Sequence, residues 1–194
     1  MPLSPPTSRR TLKHTRAIQI EAFARDDGLW DIDAHITDIK TRDATLASGV
    51  RSACRPMHDL SLRLTIDTRL TIVDAEAVSD AVPYPGYCNT IGPAYKRLVG
   101  LNLLKGFRQE LKQQLSGIDG CTHLTELAQI LPTPAIQAFA GEVFASTSDG
   151  TGSNEQSNQK PFQLDRCHAL RTDGAAVAEY YPRWAVKPAE PQTS

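Results

Sequence analysis

Apolar and polar positions alternate strictly along much of the N-terminal half of the chain. In TRAIQIEAFARDDGLWDIDAHITDIK (15–40), Ile18, Ile20 and Ala22 precede DDG, and Trp30, Ile32, Ala34 and Ile36 follow it. A period of two predicts half-buried strands, and the Asp-Gly connection predicts a hairpin. The second strand then sends Asp31, Asp33, His35 and Thr37 to the face opposite the apolar one. After a polar stretch from about 41 to 56, HDLSLRLTIDTRLTIVDAEAV (58–78) repeats the pattern. Leu60, Leu62, Leu64 and Ile66 share a face, and DTR turns the chain into a returning strand. Connections this short pair antiparallel strands.

The period lengthens beyond VPYPGYCNTIGP (82–93), a Pro- and Gly-rich loop carrying Cys88. AYKRLVG (94–100) predicts a short helix, and GFRQELKQQLSG (106–117) a longer one with Phe107, Leu111 and Leu115 four apart and Gly117 as its stop. CTHLTELAQIL (121–131) predicts a helix starting after Gly120 and stopping near Pro132, and PAIQAFAGEVF (134–144) another with Pro in its first turn. ASTSDGTGSNEQSNQ (145–159) has almost no apolar content and predicts a disordered loop. KPFQLDRCHALRTDGAAVAEYYPRW (160–184) regains a globular composition. The expectation is one α+β domain over 11–186, an antiparallel sheet of two hairpins packed by the helices that follow. Loose tails flank it at 1–10 and 187–194.

Composition changes this picture little. With 40% hydrophobic and 22% charged residues the chain reads as globular, and a formal charge of -1 gives no electrostatic attraction for nucleic acid. The opening MPLSPPTSRRTLKHTR lacks the apolar core of a secretory signal, and no stretch is apolar enough to span a membrane, so a cytoplasmic protein is expected. The cysteines Cys54, Cys88, Cys121 and Cys167 are then thiols. No glycine-rich phosphate loop or dinucleotide fingerprint is present, so no nucleotide cofactor is expected.

Chemistry concentrates in GCTHLTELA (120–128). Cys121 stands at a helix start, where free N–H groups favour a thiolate. His123, about 200° further around a regular helix, meets that thiol only if Cys121 belongs to the preceding loop. Glu126 shares the face of His123 and can orient the imidazole or add an oxygen ligand. Alternatively Thr122 caps the helix, His123 lies on its surface and Cys121 fills a gap. His58 and Asp59 point to opposite faces of a strand, so at most one of them joins a given site. Thiolate, imidazole and carboxylate together suit zinc or iron, although these spacings match no compact zinc motif. Cys167 and His168 form a further adjacent pair.

DGLWDIDAHITDIK, MHDLSLRLTID, DAEAV, GCTHLTELA and DRCHALRTDG together resemble a bacterial family defined only as a domain of unknown function, over roughly residues 10–185. That resemblance implies a setting in aromatic catabolism. Residues 54–140 are more distantly similar, in the order of their elements, to U-type iron–sulfur cluster scaffold proteins. The likeness implies a small sheet packed with helices around zinc or a cluster. Asp59 then matches the family's Asp, Cys88 its loop Cys, and Cys121 with His123 its His-Cys pair. The first Cys is replaced by His58 or the more distant Cys54, and the last pair is Cys-Thr-His.

The expectation is therefore a metal-centred enzyme, hydrolytic or lyase-like, on a small oxygenated and possibly aromatic metabolite. Cys88, Cys121, His123 and either His58 or Asp59 hold zinc or iron, and Glu126 or His35 moves a proton. The alternative is a non-enzymatic iron–sulfur or zinc carrier, and a third reading is a metal-free protein. A homodimer stays open.

Overall fold

The computed structural model describes residues 3–144 and 160–186. The chain divides into two compact units, one up to Ala138 and one from Phe139, where the sequence suggested a single domain. The predicted loop at 145–159 and the tail at 187–194 lie outside the described residues.

The first unit is α+β. Its sheet holds β1 (His14–Ala24), β2 (Trp30–Lys40), β5 (Pro56–Ile66) and β6 (Ile72–Ala81), in the order β1-β2-β5-β6 and antiparallel throughout. Two short strands, β3 (Ala44–Leu46) and β4 (Gly49–Arg51), form a small hairpin between β2 and β5. That hairpin occupies the stretch read as merely polar, because three-residue strands are too short to show a period.

Alternation decides the layers. Ile32, Ile36, Leu60, Leu62, Leu64 and Ile66 are fully buried on one face, and each such side chain contributes roughly 1.5–3 kcal/mol relative to exposure. On β6 the same face carries Ala75, Ala77 and Ser79, opposite Leu64, Leu62 and Leu60. These small residues admit a 3₁₀ helix, Gly92–Leu98, so closely that a Cβ on Gly92 would lie 2.5 Å from the Ala77 carbonyl oxygen. The opposite face of the sheet is open and polar. There Arg63 donates two 2.6 Å hydrogen bonds to Asp33, and His35 Nε2 lies 2.6 Å from Asp59 Oδ1.

Helices α1 (Phe107–Leu115), α2 (Thr122–Ile130) and α3 (Pro132–Phe139) follow. Phe107, Leu111 and Leu115 are the buried stripe of α1, as their spacing predicts. The α3 helix starts earlier than expected and ends at Phe139, with Gly141 at φ 85 shortly after. Among the described residues no helix is long and apolar enough to cross a membrane. In the second unit, α4 (Ala175–Tyr180) buries Val177, and Asp165 accepts hydrogen bonds from the Thr172 amide and hydroxyl.

The start of α2 is held from below. Cys121, not Thr122, is its N-cap residue, with extended φ −93 and ψ 127, and its side chain makes no capping bond. The hydroxyl of fully buried Tyr95 accepts from the Cys121 amide (3.1 Å) and lies 2.8 Å from Thr125 Oγ1. Thr125 Oγ1 in turn donates to the Leu115 carbonyl at 3.0 Å, tying α2 to the end of α1. Gly120 sits inside this junction, where a Cβ would come within 2.3 Å of the Leu115 oxygen. Tyr95→Phe leaves the Cys121 amide without its partner and is expected to cost about 1–3 kcal/mol. Gly120→Ala is expected to cost a similar ~1–3 kcal/mol through overpacking. Urea unfolding of both variants beside wild type measures these losses.

Candidate metal centre

Strand alternation continued past the apolar residues builds the site. Asp38 follows Ile32, Ala34 and Ile36 on the covered face of β2, Arg16 precedes Ile18 and Ile20 on β1, and His58 precedes Leu60 on β5. The register sets Arg16 opposite Asp38 and Asp38 opposite His58, so the three form one row across three strands. Asp38 is 3% exposed. A carboxylate this buried needs several donors.

It has them. Arg16 grips both oxygens, Nε to Oδ1 and Nη2 to Oδ2, each at 2.8 Å. His14 Nε2 lies 2.8 Å from Oδ1, and His58 Nδ1 lies 3.0 Å from Oδ2. The first turn of α2 brings His123 over this row, with Nε2 3.6 Å from Asp38 Oδ2. The His58 and His123 rings stack, centroids 3.7 Å apart and tilted 32°. Arg16 Nη1 also donates to Glu126 at 2.6 Å, anchoring α2 to the sheet.

Burial alone would raise the Asp38 pKa, but hydrogen bonds from Arg16 and His14, the Arg16 charge and the His58 bond outweigh it. The carboxyl is held well below the usual range. Burial lowers His58, with His123 adding to the effect against the opposing pull of Asp38. Burial also lowers His123, where Asp38 opposes and Arg16 assists. Both imidazoles are therefore neutral at neutral pH, the state in which imidazole binds a metal.

Asp38, His58 and His123 can hold a metal ion. One donor atom from each lies within 4.8 Å of the others, and among the described residues no other such group occurs. His58 and His123, both expected on sequence grounds, are thus brought together. Cys88, Cys121 and Asp59 are not in the group. Cys88 opens a single 3₁₀ turn, Cys88–Thr90, beyond β6, with its amide bonded to the Tyr84 carbonyl at 3.0 Å. Cys121 stands in the loop before α2, the condition for meeting His123, and its Sγ lies 4.0 Å from His123 Nδ1. Asp59 and His35 sit together on the open face, because each is one residue out of phase with the covered positions. Glu126 shares the His123 face as expected, and its carboxylate receives the Arg16 bond. Cys54 and Cys167 are exposed.

Asp38, Arg16 and His14 were absent from the sequence-based site. The signal was present: each stands at an even step from an apolar run, so alternation aims a charge at the covered side.

An α+β protein with a buried Asp/His/His group is the class that fold and site define. The chain belongs to the DUF2889 family, described as a protein of unknown function, whose model matches residues 14–137. The match spans every residue of the group. Neither a curated protein nor a solved structure matches the chain significantly.

Depressed imidazoles make a testable demand on stability. Below the ordinary histidine value of 6.5, the unfolded chain binds protons at positions 58 and 123 that the folded chain resists. Stability is then lost as pH falls below about that value, and Asp38 adds a further loss below its ordinary 3.8. The facing groups are Asp38 with its partners Arg16 and His14, Glu126, the Cys121 thiol and the two rings themselves. Thermal unfolding of chelator-treated protein from pH 7.5 to pH 5 is expected to show a falling Tm. The slope should be shallower in a His58→Gln, His123→Gln double variant.

Proposed function

We propose that this protein is a metal-dependent enzyme of hydrolytic or lyase type acting on a small oxygenated metabolite, with zinc or iron held by Asp38, His58 and His123. The reading rests on the single observation that these donors, from two strands and a helix, lie within 4.8 Å of one another. Two neutral imidazoles and one carboxylate form a ligand set used with zinc in hydrolases and with non-haem iron. Such an ion polarises a substrate oxygen or lowers the pKa of a bound water.

The chain's own groups have distinct parts in this reading. Arg16 keeps Asp38 ionised and oriented, as partners of ligating carboxylates do elsewhere. His14, with its side chain 44% exposed and bonded to Asp38 Oδ1, stands between the group and solvent, where it can pass a proton outward. Glu126 holds α2, and therefore His123, against the sheet through Arg16. The alternative of an iron–sulfur carrier is less favoured, since a cluster is held chiefly by thiolates and this group contains none.

Elemental analysis of purified protein tests the proposal. About one equivalent of zinc or iron is expected, falling roughly tenfold or more in Asp38→Asn, His58→Ala and His123→Ala, and unchanged in Cys88→Ala and Cys167→Ala. Circular dichroism of each variant separates a lost ion from a lost fold. Equal metal in all five variants defeats the assignment, and a brown protein carrying sulfide supports the carrier instead.

A further inference from the structure

Beside the Asp/His/His group lies a cavity of about 390 Å³, a size ordinary for small-ligand sites. Its lining mixes two chemistries. Polar His14, Arg16, Asp38, Lys40, His58 and His123 line it together with apolar Leu46, Met57, Pro83 and Tyr84. Leu46 comes from the β3-β4 hairpin, Met57 from β5, and Pro83 and Tyr84 from the segment after β6, to which the hairpin is pinned. Ser48 Oγ donates to the Pro83 carbonyl and Arg51 Nη2 to the Val82 carbonyl at 2.7 Å.

Charge decides what this cavity favours. Asp38 is the only carboxylate among the lining residues, and Arg16 already spends its Nε, Nη1 and Nη2 on Asp38 and Glu126. Lys40 is different. It lies opposite His14 on the same face as Asp38, and among the described residues its ammonium forms no ion pair. Lys40 is thus the lining cation left to a ligand, since Arg16 is shared between Asp38 and Glu126, and a divalent ion at the neighbouring group would add positive charge beside it. A negatively charged ligand is favoured by both.

We propose that the cavity takes a small organic carboxylate with an apolar body. The carboxylate meets Lys40, and the body packs against Leu46, Met57, Pro83 and Tyr84. As a substrate assignment this rests on the reading of Asp38, His58 and His123 as the reactive centre. The cavity's preference for an anion does not need the ion.

Titration of the full chain with benzoate, benzamide and acetate, followed by NMR at the Lys40, Leu46 and Tyr84 amides, tests the proposal. Benzoate is expected to bind, with benzamide (no charge) and acetate (no body) each roughly tenfold weaker or worse. Lys40→Gln, a change at an exposed side chain, is expected to weaken benzoate about tenfold and leave benzamide unaltered. Absence of benzoate binding, equal binding of benzamide, or an unchanged affinity in Lys40→Gln overturns the proposal. The two readings fail separately. A His123→Ala protein that keeps its metal but prefers benzoate refutes the metal ligands alone, whereas loss of metal in that variant without any benzoate preference in wild type refutes the carboxylate alone.

Discussion

One buried carboxylate organises the functional end of the first unit. Asp38 lies at the end of an apolar row, on the side of the sheet that helices cover, where an ionised group without partners would be strongly unfavourable. Its two oxygens are therefore met by donors from β1 and β5, with α2 closing over them: Arg16 and His14, His58, and at longer range His123. Removing any one contact would leave the others to satisfy the same charge. This interdependence brings two imidazoles into stacking distance, and their burial keeps them neutral against the pull of Asp38.

The remaining parts of the fold support that arrangement from two directions. Tyr95 and Gly120 determine where α2 begins, and so how far His123 reaches over the sheet. Arg16 then joins sheet and helix by bonding Asp38 with one edge of its guanidinium and Glu126 with Nη1. A planar, permanently charged fork suits this double task, which a lysine could not copy. Beside the group, the β3-β4 hairpin and the segment after β6 supply apolar lining. The result is a ligand-sized cavity lined by both the polar row of side chains and apolar Leu46, Met57, Pro83 and Tyr84.

The two faces of the sheet keep their chemistries separate. His35 and Asp59 pair on the open side, among Asp33, Arg63 and Thr65. His58, Asp59's immediate neighbour in the chain, serves the covered side. A single residue of phase in a strand thus decides which histidine can reach α2.

Much of this was legible in the residue order. Alternation around DDG and DTR revealed both long hairpins and which side chains share a face, because a strand's period is a local property of the backbone. Helical spacing marked Phe107, Leu111 and Leu115, and GCTHLTELA showed a helix start with a thiol and an imidazole beside it. Alternation also showed that at most one of His58 and Asp59 joins a given site, without choosing between them. The meeting of residues 16, 38, 58 and 123 was not legible, and a plausible pairing of Cys88 with Cys121 stood in its place. Which strand ends lie side by side, and which helix crosses them, follows from register and from the packing of α2 through Tyr95, contacts between segments far apart in the chain. Local periodicity carries no information about such distances, so the partners of Asp38 emerge only when the chain is folded.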